Sequence, residues 1–311
     1  MVNLIANEWI KIFKRVGTYV MIGLVLLVIC AFVAGMVYFE GMQTQEEQLD
    51  WRVELQSENQ MLEENAEYDD YSLEQLKINE YRLENNIPPV NETTAWTFMG
   101  ENANVLSFAG LFTIIIAAGI VASEFSWGTI KVLLIRPVSR FKILLSKYIT
   151  VVLFGIVITA IVFVFSGLLG LLFFGTGDST SNVHLAYSNG EVVEQSIFLH
   201  IVKSYLFNSI DILMVMTMAF MISSAFRSSS LAIGLSIFLL IAGGNITFIL
   251  SQKFDFAKYS LFANTNLTQY FNGTPLVEGM TLPFSITMLL IYFVIFQVVA
   301  FAVFMKRDVS I

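Results

Sequence analysis

Long apolar runs without charged residues alternate with polar segments along the whole chain. Five such runs cover residues 16–39, 102–123, 148–177, 228–252 and 279–305. A sixth run, residues 200–226, is interrupted only by Lys203 and Asp211. Because a helix needs roughly 20 apolar residues to cross a bilayer core of about 30 Å, the pattern predicts six transmembrane helices.

Two of the polar segments carry helical patterns of their own. In residues 1–16, Trp9 and Phe13 share a helical face and Lys11 lies on another, which is typical of a helix at the membrane interface. A plain charged flank of the first span is the alternative. Residues 40–101 are too long for a bare connection, and runs of helix formers flank a turn at residues 69–71. We expect a helical hairpin there, its second helix capped by Ser72, with a partly disordered acidic loop as the alternative.

The segment between the second and third spans predicts a short amphipathic helix over residues 126–135. Ile130, Leu133 and Leu134 fall on one side of it. Arg136-Pro137 ends the helix, because the residue before proline disfavours the helical region. Ser139 is a suitable N-cap for the helix that becomes the third span.

The distribution of charged residues predicts which side of the membrane each polar segment faces. With the N-terminus inside, the inner segments hold 11 of the 17 Lys and Arg residues, and such residues concentrate on cytoplasmic loops. Both termini are therefore predicted to be cytoplasmic. Residues 40–101 hold 16 acidic and three basic residues, a net charge of −13, which leaves +5 for the rest of a chain whose total is −8. The acidity belongs to one external loop, so no nucleic acid is expected as a partner.

Composition agrees with a membrane protein, since 56% of the residues are hydrophobic and 14% are charged, against about 25% charged in soluble globular proteins. The predicted fold class is all-α integral membrane: six transmembrane helices, an N-terminal amphipathic interfacial helix, a short cytoplasmic helix and an external helical hairpin. The predicted segments are the interfacial helix 1–16; spans 17–39, 102–123, 148–176, 200–226, 228–250 and 283–305; the acidic external hairpin 40–101; the cytoplasmic segment 124–147; the external loop 177–199; the external re-entrant or interfacial segment 251–282; and the cytoplasmic tail 306–311.

The sequence contains no pattern of an enzyme. No G-x-x-x-x-G-K-[ST] motif for nucleotides and no G-x-S-x-G elbow occurs, and His184 and His200 are the only histidines. We therefore expect no catalytic residue, no metal site and no cofactor bound by this chain. Asp211 is a candidate intramembrane polar site, because a carboxylate at depth is costly and often lines a water path. A structural hydrogen bond to a neighbouring helix is the alternative.

The cytoplasmic segment resembles the coupling segment of bacterial ABC-2-type exporter permeases. The resemblance lies in Glu124-Phe125-Ser126-Trp127-Gly128-Thr129-Ile130-Lys131, in Leu133-Leu134, in Arg136-Pro137-Val138-Ser139-Arg140 and in residues 143–147. The opening Asn7-Glu8-Trp9-Ile10-Lys11 is similar to the amphipathic entry of those permeases. The six-span topology, with a bent external segment before the last span, is similar as well, whereas the acidic first loop departs from many members.

The resemblance implies a mechanism and partners. Such permeases pair two membrane chains, here an expected homodimer in the cell membrane, with two separate ATPase chains that hold ATP and Mg. The short helix would be a coupling helix that docks on the ATPase. The candidate docking residues are Glu124, Trp127, Gly128, Thr129, Leu133, Leu134, Arg136 and Arg140, and the candidate interfacial residues are Glu8, Trp9 and Lys11.

Two hypotheses for function follow. The first is an export permease for a peptide, antibiotic or lipid-like substrate, with membrane lipids as its other contacts. In that hypothesis Lys147, beyond the short helix, should matter much less than the docking residues. The second is a sensor or immunity protein that binds cationic peptides through the acidic hairpin without transport. A co-purifying ATPase would favour the first.

Overall fold

The computed structural model describes residues 1–43, 50–65, 70–89, 93–135, 137–177, 183–188, 190–271 and 275–306. Across these residues the chain is nearly all helical, and six helices are long and apolar enough to cross a membrane. The predicted all-α integral membrane class with six spans is confirmed. The elements are α1 (Val2–Phe13), α2 (Val16–Gln43), α3 (Trp51–Asn65), α4 (Asp70–Asn85), α5 (Ala95–Asn102), α6 (Val105–Ser126), α7 (Ile130–Ile135), α8 (Arg140–Phe173), β1 (Val183–Ser188), β2 (Glu191–Ser196), α9 (Ile197–Ala225), α10 (Ser229–Ser251), α11 (Leu261–Thr265) and α12 (Leu282–Lys306).

The centre of the bundle is formed by α6 and α9, whereas α2, α10 and α12 leave most of their surface exposed. Small side chains such as Ala117 and Ala118 are fully buried in α6, and small residues let helices approach closely within a membrane. The Ser223 hydroxyl of α9 accepts hydrogen bonds from the backbone N–H groups of Val121 and Ala122, at 3.1 and 3.0 Å. These bonds fix α6 directly against α9.

The second span begins earlier than the predicted boundary at residue 102. The chain enters the bundle with α5, whose start is fixed by a capping box between Thr94 and Thr97, and Phe98 in α5 is fully buried. The exposed Glu101 interrupts the apolar pattern, so the pattern did not predict that α5 belongs to the second span. At Ala103 and Asn104 the spanning segment breaks between α5 and α6. The backbone N–H groups there bond to the carbonyl three residues earlier instead of four. The Asn104 N–H, for example, donates to the Glu101 carbonyl at 3.1 Å.

The predicted helical hairpin consists of α3 and α4, which pack against each other. Leu55 and Asn59 on α3, one turn apart, are buried, and so are Leu76 and Asn79 on α4. The glutamates of α3 lie on its exposed face. The second helix begins at Asp70, so Ser72, the predicted cap, lies inside its first turn.

Residues 177–199, predicted as a polar loop, contain an antiparallel β-hairpin instead. Strands β1 and β2 pair from Val183 with Ser196 to Ser188 with Glu191. Gly190, with φ 90°, permits the tight turn. The hairpin packs on α4, where the Tyr81 hydroxyl contacts a Glu194 carboxylate oxygen at 3.3 Å. The adjacent pair Val192-Val193 breaks the alternation of apolar and polar residues, which is why the pattern did not predict a strand.

The segment before the last span is irregular but well connected. It contains two short 3₁₀ turns, Asp255–Tyr259 and Leu267–Tyr270, on either side of α11. The buried Asn264 amide donates to the carbonyls of Lys258 and Ser260, both at 2.7 Å. Side-chain amides thus bind backbone carbonyls of this irregular segment, because buried backbone groups need hydrogen-bond partners.

Candidate functional site

Four charged side chains form an ionic cluster at the end of the bundle where α1 lies. Glu8 and Lys11 come from α1, Glu124 from the last turn of α6, and Lys147 from α8. The Lys147 ammonium donates to Glu8 at 2.7 Å, to Glu124 at 3.2 Å and to the Ile120 carbonyl at 3.1 Å. The Lys11 ammonium donates to both carboxylates at 2.8 Å. Two positive and two negative groups therefore balance and tie three helices together.

Burial makes this ionic cluster energetically demanding. The Lys147 side chain is 0% exposed, and those of Glu8 and Glu124 are 8% and 9% exposed. A buried ion pair is weak evidence for stability, but removal of one partner is costly because a charge then stays buried and uncompensated. Glu124 also lies at a helix C-terminus, where the helix dipole disfavours a carboxylate. Its two ammonium partners offset that cost.

Lys11 lies at the edge of the ionic cluster, where its side chain is half-exposed. Partial burial alone would lower the pKa of this ammonium, but hydrogen bonds from it to Glu124 and Glu8 outweigh burial and raise the pKa above its usual value. Lys11 therefore stays charged in the ordinary pH range. This side of α1 packs on the bundle, with Ile12 buried beside it, whereas the sequence had placed Lys11 on a face away from the apolar contacts.

The connection between α6 and α7 carries three of the predicted docking residues. The predicted helix over residues 126–135 is shorter in the structure, because Gly128 has φ 72° and the chain turns there before α7 begins. Trp127 is exposed, and the Arg15 guanidinium lies 5.0 Å from its ring centroid. The Thr129 hydroxyl donates to the Glu124 carboxylate. The connection is thereby attached both to the ionic cluster and to the start of α2.

Helix α7 presents a mixed surface. Ile130 is buried, whereas Val132 is 64% exposed. The side chains of Leu133 and Leu134 and the whole of Arg136 lie outside the described residues. The Ser139 side chain accepts from the Lys142 N–H at 3.4 Å and caps α8, the role expected for it.

Two of the predicted site residues have structural contacts that the docking hypothesis did not include. Arg140 donates to the Met305 carbonyl at 3.2 Å, near the C-terminus of α12, where a cation is favourable. Glu124 is buried in the ionic cluster. Its carboxylate binds Thr129 in the connection between α6 and α7, so it is not free to bind a partner. Trp9, on the same end of the molecule, packs on Phe13 with ring centroids 4.8 Å apart.

Lys147, which lies beyond the predicted short helix, is buried in the ionic cluster, and the sequence did not predict this structural role. Its neighbours in α8 at helical spacing, Ile143, Leu144 and Val151, are all buried apolar residues. A lysine is almost never fully buried unless it is paired, and its place in an apolar stripe was visible in the sequence. The partner could not be chosen from the pattern, because Glu8 and Glu124 come from distant parts of the chain.

Asp211 lies at the wall shared by two adjoining cavities, both of which are partly open to the surface of the bundle. A cavity of about 380 Å³ is lined mostly by aliphatic side chains, and one of about 270 Å³ mostly by polar side chains. Ser107, just after the break between α5 and α6, also lines both. The Thr265 side chain lies beside the Asp211 carboxylate and lines the smaller cavity with it. No group of three or more His, Cys, Asp or Glu side chains that could hold a metal ion occurs in the part of the chain that the structure describes.

Comparison with known proteins corrects the family resemblance. The model of the family described as "Protein of unknown function (DUF2705)" matches residues 70–310, and no ABC-2 family model matches. Assignment to the ABC-2-type permeases is therefore wrong. Most of that resemblance rested on residues 124–147.

Two proteins of Bacillus subtilis (strain 168) are similar to this chain. The uncharacterized protein YhcI is 52% identical over 315 residues, which cover 100% of both chains. The uncharacterized membrane protein YdbK is 38% identical over 202 residues, which cover 64% of this chain and 77% of YdbK. The name of YdbK as a membrane protein agrees with the spans described above. With the family model matching most of its length, this chain, a multi-pass membrane protein, belongs to the DUF2705 family.

Proposed function

We propose that this chain is the membrane-spanning subunit of an exporter that takes its energy from a separate ATPase chain. Its cargo would be a peptide, an antibiotic or a lipid-like molecule. Two copies of the chain would form the path through the cell membrane, and two ATPase chains would bind them from the cytoplasm. This chain itself would bind no nucleotide, which agrees with the lack of a nucleotide motif in its sequence.

The proposed orientation places α1, α7 and both termini in the cytoplasm. The segments assigned to that side hold 11 of the 17 Lys and Arg residues, and short cytoplasmic loops are enriched in these residues. The acidic hairpin of α3 and α4, with the β-hairpin packed on it, would then lie outside the cell. An ATPase in the cytoplasm would meet the end of the bundle that carries the ionic cluster.

The observation that carries the proposal is the way α7 is attached to the spans. The short helix exposes Val132, and the connection before it is held by Glu124 through Thr129. Glu124 is in turn bound to Lys147 of α8 and to Lys11 of α1. A force applied to α7 by a partner would therefore reach three helices at once, as an energised transporter requires.

A matched pair of variants tests this proposal. Val132→Asp places a charge on the exposed surface of α7, and Val53→Asp makes the same change on the exposed surface of α3. The chain would be purified from its native cells with a mild detergent and assayed for bound ATPase activity, with the bound subunit identified by mass spectrometry. We expect wild type and Val53→Asp to retain the ATPase and Val132→Asp to lose most of it at equal expression.

Two results would contradict the proposal. One is the absence of any ATPase bound to the wild-type chain. The other is full ATPase binding by Val132→Asp, which would indicate that α7 rests on lipid instead of on a protein partner.

A second candidate function is the binding of cationic peptides without transport. The observation that favours it is that four glutamates of α3, Glu54, Glu58, Glu63 and Glu64, are all exposed. Such a surface attracts cations over about 8–10 Å at physiological ionic strength. The same purification distinguishes the two functions, because a sensor of this kind needs no ATPase.

A further inference from the structure

The two cavities beside Asp211 differ in the chemistry of their walls. The cavity of about 380 Å³ lies between α6, α9 and α10, and its apolar lining consists of Ile114, Ile212, Val215, Leu240 and Ile241. The cavity of about 270 Å³ is lined by the polar residues Asn104, Asn208, Thr265, Asn266 and Thr268, together with Phe207 and Leu267. Ligand pockets in proteins measure about 300–1,000 Å³, so the larger cavity alone is within that range.

Asp211 is the ionisable residue that lines both of these cavities. Among the described residues no Lys, Arg or His forms a salt bridge with it. The neighbouring Thr265 side chain is neutral and cannot balance a negative charge. An ionisable residue within a membrane-spanning segment is costly and marks a ligand or ion path by default. Lys147 in α8 differs from Asp211, because two carboxylates form salt bridges with its ammonium group.

The backbone around the cavities is also unusual for a membrane span. The break between α5 and α6 brings Asn104 and Ser107 to the cavity walls. Irregular backbone at membrane depth is tolerated where it lines a polar cavity, and short 3₁₀ stretches within helices often mark functional hinges. On the opposite wall Gly244 has no side chain, and a Cβ built there would meet nothing within 4 Å.

From this arrangement we propose that Asp211 and the two cavities bind an amphipathic organic monocation. The cationic centre pairs with the Asp211 carboxylate. The hydrocarbon or aromatic body fills the aliphatic cavity between α6, α9 and α10, and hydrogen-bonding groups or water occupy the polar cavity. The inference deepens the proposed function, on which the role of this ligand as cargo rests, but binding itself requires only this chain.

The test uses two probes of the same shape and opposite charge, tetraphenylphosphonium and tetraphenylborate. Equilibrium binding of each is measured to the purified full-length chain in lipid nanodiscs, with empty nanodiscs as the blank. We expect saturable binding of tetraphenylphosphonium and none of tetraphenylborate beyond the blank. Equal binding of both ions, or saturable binding of neither, would overturn the inference.

Three variants locate the bound cation. Asp211→Asn keeps the shape of the side chain and removes its charge, so affinity for tetraphenylphosphonium should fall by about tenfold or more. Gly244→Leu fills the aliphatic cavity and should abolish saturable binding. Gly234→Leu is the matched control, because it lies in the same helix, lines neither cavity and also leaves a new Cβ without contacts within 4 Å. It should bind as wild type.

The variants also separate the possible failures. If Asp211→Asn is poorly folded, judged by size-exclusion chromatography, Gly244→Leu alone decides the site. Unchanged binding in Gly244→Leu would place the cation elsewhere and overturn the inference. The cation-binding experiment contains no ATPase, so the two proposals can fail separately. If the wild-type chain binds no ATPase, the proposed function is refuted and the cation site is not. If the chain binds no cation, the cation site is refuted and the proposed function is not.

Discussion

At the scale of single residues, Lys147 illustrates how a buried charge acquires a structural role. The side chain is 0% exposed, and its ammonium bonds two carboxylates and one backbone carbonyl. These bonds use all three of its N–H donors. Each carboxylate also has Lys11 as a second partner, but that lysine is half-exposed and cannot replace Lys147 inside the bundle.

Replacing Lys147 with methionine should therefore destabilise the protein. The change leaves Glu8 and Glu124 buried with Lys11 as their remaining ammonium partner, and loss of one partner of a buried ion pair costs about 3–5 kcal/mol. The free energy of unfolding would be measured by denaturant titration in detergent micelles. The double variant Lys147→Met with Glu124→Gln should recover part of the loss, since it removes one uncompensated charge.

Lys142→Met is the control for this prediction. Lys142 lies in the same helix, is exposed and forms no salt bridge among the described residues. Its replacement should change stability by less than about 0.5 kcal/mol. An equal effect of the Lys147 and Lys142 substitutions would contradict the structural role of the ionic cluster.

At the scale of elements, the packing of α5 on α8 depends on a glycine at the crossing. A Cβ built at Gly170 would lie 3.0 Å from the Ala95 Cα and 3.2 Å from the Ala95 carbonyl oxygen. These are backbone atoms and cannot move aside as a flexible side chain can. The Ala95 N–H also donates to the Gly175 carbonyl at 2.8 Å, which fixes the start of α5 against the end of α8.

The substitution Gly170→Ala should push α5 away from α8. Overpacking of this kind costs about 1–3 kcal/mol. Gly167→Ala, one turn earlier in α8, places its Cβ 3.5 Å from the flexible Met99 side chain, so it should be neutral or stabilise the helix by up to about 1 kcal/mol. Unfolding of both variants in the same detergent checks this. Equal stability of the two would show that α5 does not pack on α8 as described.

The elements also show where sequence patterns succeed and fail. Apolar runs located the six spans, because the bilayer sets their length whatever their neighbours are. The short helix α5 escaped notice, since Glu101 ended the apolar run that the pattern detected. The β-hairpin escaped because its stability comes from pairing between strands and from α4, which a local pattern does not contain. Gly128 was singled out, but its positive φ shortened the helix that was expected to include it.

At the scale of the whole molecule, the two ends of the bundle differ in their charge and architecture. One end carries α1, α7 and the ionic cluster, and the other carries the acidic α3–α4 pair with the β-hairpin. The distribution of Lys and Arg predicts that the first end faces the cytoplasm. Both candidate functions, the ATPase-driven exporter and the receptor for cationic peptides, depend on this orientation, since an ATPase works in the cytoplasm and an acidic receptor would work outside.

Orientation can be measured by labelling single cysteines in a Cys30→Ala background. Glu54 on α3 and Lys14 after α1 are both exposed, so a cysteine at either position is open to reagent. A membrane-impermeant maleimide applied to intact cells should label Glu54→Cys and not Lys14→Cys. After permeabilisation both should react. Labelling of Lys14→Cys in intact cells would show that the chain has the opposite orientation to the one predicted.

The sequence by itself determined that this protein crosses the membrane six times, because hydrocarbon thickness and the cost of charge act on each segment separately. It also singled out Asp211 and most residues of the connection around α7. Only the tertiary structure decided that Glu8, Lys11, Glu124 and Lys147 form one balanced cluster, and that Asp211 has two cavities of different chemistry at its side. These features require segments far apart in the chain to meet, and that meeting depends on the packing of whole helices, which no local pattern of residues encodes.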